Sequence, residues 1–124
     1  NLHKYDTMIK NTGGIDIQIL GIGTNGHIAF NEPGSSRYSA TRIVDLTDNT
    51  INDNSRFFDP LEPIPTQAFT MGLSSILDAK RIYLMANGKH KEKILEEAVY
   101  GDIHEGLPAS YLQQHPNCEV LYCD

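Results

Sequence analysis

The chain is poor in several features that mark whole classes of protein. Only two cysteines occur in 124 residues. Cys118 and Cys123 flank a strand-like run, and the pair reads as reduced thiols rather than as a disulfide framework. None of the five histidines sits in an HxxxH or Cys/His ligand spacing, so no metal site is expected and no cofactor is called for. Cationic side chains are outnumbered ten to sixteen, for a formal net charge of −6, which argues against non-specific nucleic-acid binding. The acidic excess is spread out and forms no tail. No apolar run approaches the ~20 residues needed to cross a bilayer, and the first residues carry no signal-peptide pattern. A cytoplasmic protein with no membrane or nucleic-acid partner is the expectation. Internal repeats, low-complexity tracts and linkers are also missing.

What remains is enough for one small core. The hydrophobic fraction is 40%, and the apolar segments alternate in type. His3 to Lys10 reads as a helix end stopped by Asn11-Thr12-Gly13-Gly14. Ile15 to Leu20 is the first strong strand. A short strand is expected over Arg42 to Leu46, followed by a polar helix to Ser55 with its N-cap at Thr47-Asp48. Asp59 to Thr66, with prolines at 60, 63 and 65, must be a loop. Strand 68–71, helix 73–79, strand 81–86, helix 89–100 and strand 118–122 complete the pattern. This alternation implies an α/β fold: a parallel sheet with covering helices.

Chemistry concentrates after the first strand, in Leu20-Gly21-Ile22-Gly23-Thr24-Asn25-Gly26-His27-Ile28-Ala29-Phe30-Asn31-Glu32-Pro33-Gly34. Ligands of open α/β sheets bind beyond the carboxyl ends of strands, which is where this turn must lie. Glycines let its backbone approach a ligand closely. His27 exchanges a proton near neutral pH, and Glu32 can fix its tautomer or hold its charge. Taken alone, a glycine-rich loop with one histidine is a weak signal, because most such histidines are structural. A second feature is Asn87-Gly88-Lys89-His90-Lys91, which ends a strand and opens a helix, so that free amides, the helix dipole and an ammonium group can converge on one anion. The commoner fate of Lys89, Lys91 and Lys93 is a solvated helix face, and the residues by themselves leave both readings open.

The loop string resembles the catalytic loop of the glucosamine-6-phosphate deaminases, with its (D/N)-G-H-I-(A/G)-F-N-E-P pattern. The likeness extends to Asn54-Ser55-Arg56-Phe57-Phe58, Ala68-Phe69-Thr70-Met71-Gly72, Gly88-Lys89-His90-Lys91 and Pro108-Ala109-Ser110-Tyr111-Leu112-Gln113-Gln114-His115, in order, from about Tyr5 to Asp124. The resemblance implies a Rossmann-like parallel sheet flanked by helices, and one sugar-phosphate isomerase/deaminase domain of which residues 1–124 form the C-terminal part. It implies that glucosamine 6-phosphate and water become fructose 6-phosphate and ammonia. In that reaction His27 opens the sugar ring, oriented by Asn25 and Glu32, and Arg56 and Lys91 bind the substrate phosphate. The first strands, a Gly-Gly-Thr phosphate loop and the aspartate that moves a proton from C2 towards C1 have no counterpart here. The missing N-terminal half is therefore an expected partner, and poor solubility is expected from an open edge and an uncovered apolar face. Some relatives assemble, so a homo-oligomer is compatible. Asn25 stands where some members carry aspartate; it can orient the imidazole but cannot stabilise imidazolium by charge. A 6-phosphogluconolactonase loop would continue Thr-Ala-Ser-Leu-Phe-Pro after the histidine, unlike Ile28-Ala29-Phe30-Asn31-Glu32-Pro33. A non-catalytic sugar-phosphate-binding fragment would keep Arg56 and Lys91 without turnover.

Overall fold

The computed structural model describes residues 2–124. Helix α1 (His3–Asn11) ends where Gly13 and Gly14 turn to φ +98° and +85°. The Gly14 amide reaches back to the Ile9 carbonyl at 2.9 Å, a helix stop that needs residues free of a Cβ. Strand β1 (Ile17–Leu20) then enters a three-stranded parallel sheet with β4 (Arg81–Asn87) and β5 (Cys118–Cys123), in the order β1-β4-β5. Leu20 lies opposite Leu84, and Leu84 opposite Val120.

One face of this sheet is packed. Leu20, Ile82 and Leu84 join Leu73 and Ile76 of α3 (Leu73–Leu77), Leu95 and Ala98 of α4 (Glu92–Tyr100), and Ala109 and Leu112 in one core. Side chains alternate across a strand. The opposite face therefore carries Ile17, Ile19, Met85 and Leu121, which are 58, 64, 49 and 46% exposed. Parallel sheets are ordinarily covered on both faces.

Two features depart from the sequence expectation. Strands β2 (Arg42–Asp45) and β3 (Gln67–Thr70) do not join the parallel sheet; they pair with each other, antiparallel, Ile43 opposite Phe69. The reason lies between them. Helix α2 (Asp48–Asn54) has only seven residues, and after a 3-10 turn at Ser55–Phe57 the proline-bearing stretch brings the chain back, so that the Leu46 amide donates to the Thr66 carbonyl at 2.8 Å. The second difference is a 3-10 helix at Pro108–Gln114, whose residues 108 to 112 are all buried. Its core has no 3.6-residue period to read. Lys89–Lys91 also forms a separate 3-10 turn ahead of α4.

β1 and β4 are parallel neighbours, so their carboxyl ends lie side by side. Residues 21–34 leave the first, and Lys91 follows the second within four residues.

Candidate active site

The His27 loop is folded by its own backbone. Gly23 donates to the His27 carbonyl at 2.9 Å and Gly26 to the Gly23 carbonyl at 2.9 Å. Gly26 has φ +87°. A Cβ on Gly23 would overlap the His27 ring, so glycine is what lets the imidazole lie against the turn. Farther on, Ala29 takes φ +51°, a left-handed conformation uncommon for alanine. It turns the chain so that Ile28 and Asn31 are fully buried while Glu32 comes back towards His27.

His27 Nδ1 lies 2.7 Å from Asn25 Oδ1 and 3.2 Å from Glu32 Oε1. Asn25 Nδ2 donates to Thr47 Oγ1 at 3.2 Å, and this fixes the amide with its oxygen towards the imidazole. Two acceptors facing Nδ1 place the ring proton there. Nε2 is left as an acceptor with no protein hydrogen bond among the described residues.

Glu32 is held from three directions. The Thr47 amide donates to Oε2 at 2.6 Å, and the Thr50 hydroxyl reaches Oε1 at 2.7 Å and Oε2 at 3.0 Å. Thr50 Oγ1 is also 3.2 Å from His27 Nδ1. Both threonines belong to the start of α2, where Thr47 is the N-cap and accepts from the Thr50 amide at 3.2 Å. Burial alone would raise the Glu32 pKa; the hydrogen bonds from Thr47 and Thr50 and the nearby imidazole outweigh it and hold the carboxyl below its ordinary range. Burial lowers the His27 pKa, opposed by the Glu32 charge and reinforced by Lys91. The pair therefore rests as neutral imidazole beside carboxylate near neutral pH.

His27 lines a cleft of about 270 Å³ together with Gly21, Gly23, Asp53, Arg56 and Lys91. The Lys91 ammonium donates to the Ile22 carbonyl, and burial lowers its pKa. Lys89 and Lys93 are exposed, so the lysine cluster divides: two solvated side chains and one in the cleft. Arg56 lies over the Phe57 ring, 4.7 Å from its centroid, an aromatic support for the guanidinium. The five residues singled out from sequence, Asn25, His27, Glu32, Arg56 and Lys91, thus come together in one place. Sequence reasoning missed Thr50, Thr24 and Asp53. Thr47 was visible only as a capping signal, and nothing in a linear pattern shows that the cap also grips a carboxylate fifteen residues upstream.

The remaining histidines are elsewhere. His115 accepts from the Asn117 amide at 3.0 Å and faces the Ala79 carbonyl, a structural bridge from the last loop to α3. Among the described residues no group of three or more His, Cys, Asp or Glu is placed to hold a metal ion. Cys118 and Cys123 are free thiols, and no helix of the described residues is long and apolar enough to cross a membrane.

The family model for glucosamine-6-phosphate isomerases/6-phosphogluconolactonase matches residues 1–122. The chain belongs to this family. It is 50% identical over 120 residues to the glucosamine-6-phosphate deaminase of Lachnoclostridium phytofermentans, covering 97% of this chain and 51% of that protein. It is 52% identical over 121 residues to the glucosamine-6-phosphate deaminase of Staphylococcus haemolyticus, covering 98% and 50%. A solved monomeric glucosamine-6-phosphate deaminase superposes with a TM-score of 0.94 at 42% identity, over 98% of this chain and 51% of that one. A 6-phosphogluconolactonase from Trypanosoma brucei shares the fold alone, with a TM-score of 0.70 at 17% identity over 98% of this chain and 49% of that one. The chain spans about half the length of the curated relatives it matches. The Rossmann-like α/β sheet expected from sequence is the family's fold.

Proposed function

We propose that this chain is part of a glucosamine-6-phosphate deaminase, a deaminating aldose-ketose isomerase that turns glucosamine 6-phosphate and water into fructose 6-phosphate and ammonia. The observation that carries the reading is the imidazole of His27, held at Nδ1 by Asn25 and Glu32, with Nε2 bare and the ring lining the cleft that Arg56 and Lys91 share.

Ring opening follows from this tautomer. Nε2 takes the proton of the anomeric hydroxyl and returns one to the ring oxygen as the C1–O5 bond breaks and the C1 carbonyl forms. Protons balance, and His27 ends neutral. Imidazolium exists only between the two transfers, when the Glu32 carboxylate 3.2 Å from Nδ1 stabilises it. Arg56 offers a planar fork to the substrate phosphate and Lys91 a point charge. The base that moves a proton from C2 towards C1 is supplied from outside this chain, by the part of the domain that relatives of twice the length carry. The bare sheet face bearing Ile17, Ile19, Met85 and Leu121 is where that part packs. A cytoplasmic setting suits such an activity.

The test is ammonia release from glucosamine 6-phosphate by the chain co-expressed with the N-terminal half that its relatives carry. His27→Gln is expected to lower the rate about 10²- to 10⁴-fold. Phosphosugar binding without ammonia release, in a folded assembly, would point instead to a binding protein.

A further inference from the structure

The cleft that holds two candidate phosphate cations also holds a carboxylate. Asp53 lines it beside His27, Arg56 and Lys91. Its Oδ2 accepts from the Thr24 hydroxyl at 2.7 Å, and Asn49 Nδ2 donates to that same hydroxyl at 2.9 Å. The carboxylate is thereby pinned against the glycine loop while remaining solvent-exposed, so its field is confined to a Debye length of about 8–10 Å. It makes no ion pair: among the described residues only His27–Glu32 and Lys80–Asp16 lie within 4.0 Å of each other.

An unneutralised carboxylate weakens the attraction of the cleft for phosphate, so its presence calls for another account. Once a phosphate takes Arg56 and Lys91, Asp53 is left as the carboxylate lining the cleft around the rest of the ligand. Burial lowers the pKa of both His27 and Lys91, and the Asp53 charge works against that at both. Its field therefore reaches the reacting end as well as the phosphate end.

We propose that Asp53 is a specificity-determining residue, pinned by Thr24, that makes the cleft reject sugar phosphates bearing a second anionic group and favour those whose remainder is neutral or cationic. This rests on the sugar-phosphate reading of the site. Specificity by like-charge repulsion needs no contact with the preferred substrate. It is also long-range enough to act across a sugar.

Calorimetric titration of the co-expressed assembly in a His27→Gln background, where glucosamine 6-phosphate is bound with little turnover, tests it, with 6-phosphogluconate as the doubly anionic probe and glucosamine 6-phosphate as the reference. Asp53→Asn keeps an oxygen for Thr24 and removes the charge. It is expected to improve 6-phosphogluconate binding relative to glucosamine 6-phosphate about three- to tenfold. With Asp53 in place the same ratio should move in the same direction as salt rises, because screening weakens the repulsion. A ratio that Asp53→Asn leaves within about twofold and that does not respond to salt overturns the proposal. Binding of neither ligand overturns it together with the phosphate assignment. Ammonia release followed in parallel with His27 in place separates the two readings. His27-dependent release with an unchanged ratio rejects the role of Asp53 alone, whereas a charge-sensitive ratio without release supports that role and rejects the deaminase.

Discussion

At His27 charge and burial together set the protonation state of the imidazole. Burial lowers its pKa below the ordinary 6.5, and Asn25, 2.7 Å away, adds a hydrogen bond but no charge. Asn25→Asp is expected to raise the His27 pKa, which a proton NMR titration of the imidazole reads directly; no rise would sink the idea that this position tunes the base. Thr50 is the second test at this scale. It is fully buried and hydrogen-bonds both Glu32 oxygens. Thr50→Val keeps the shape and strands the carboxylate, at a cost of about 1–3 kcal/mol, measurable by urea unfolding. The sign of the pH dependence follows. Folded pKa values below the ordinary 6.5 of His27 and 4.5 of Glu32 give stability that is present above those values and lost as pH falls through the folded ones. Thr50→Val lets the Glu32 pKa rise, so the acid loss of stability tied to Glu32 should shrink. Asn25, His27, Glu32, Arg56 and Lys91 were legible because each sits in a local string. Thr50 and Asp53 were not, because what they touch lies 18 and 29 residues away in sequence.

Among the elements, β4 is the one on which the sheet depends, since it pairs with both β1 and β5. Leu84 stands at the middle of its buried face, 1% exposed. Leu84→Ala is expected to cost about 2–5 kcal/mol, read as a lower urea midpoint with little change in slope. The strands and the longer helices were readable from periodicity to within a few residues. The antiparallel pairing of β2 with β3 was not, because the same alternation of strand and helix serves both arrangements. The closure of the Leu46 amide on the Thr66 carbonyl is a property of the whole excursion rather than of either strand. The buried 3-10 helix at 108–114 escaped for a different reason: three residues per turn leave no amphipathic signature of the usual kind.

For the molecule as a whole, one face of a parallel sheet is covered among the described residues, while the other exposes Ile17, Ile19, Met85 and Leu121 beside Arg81 and Glu119. Ile19→Lys with Leu121→Lys is expected to improve the solubility of the chain on its own and to weaken its association with a co-expressed N-terminal half of the kind its relatives carry, as measured by sedimentation and co-purification. Unchanged association would place the contact elsewhere. On the proposed function, the His27 loop opens a sugar ring. Exchange between the α and β anomers of glucosamine 6-phosphate, followed by NMR in the presence of the co-expressed assembly, tests that step ahead of any carbon chemistry. Exchange well above the spontaneous rate is expected, lost in His27→Gln while phosphosugar binding persists; equal exchange with and without the histidine would remove His27 from ring opening.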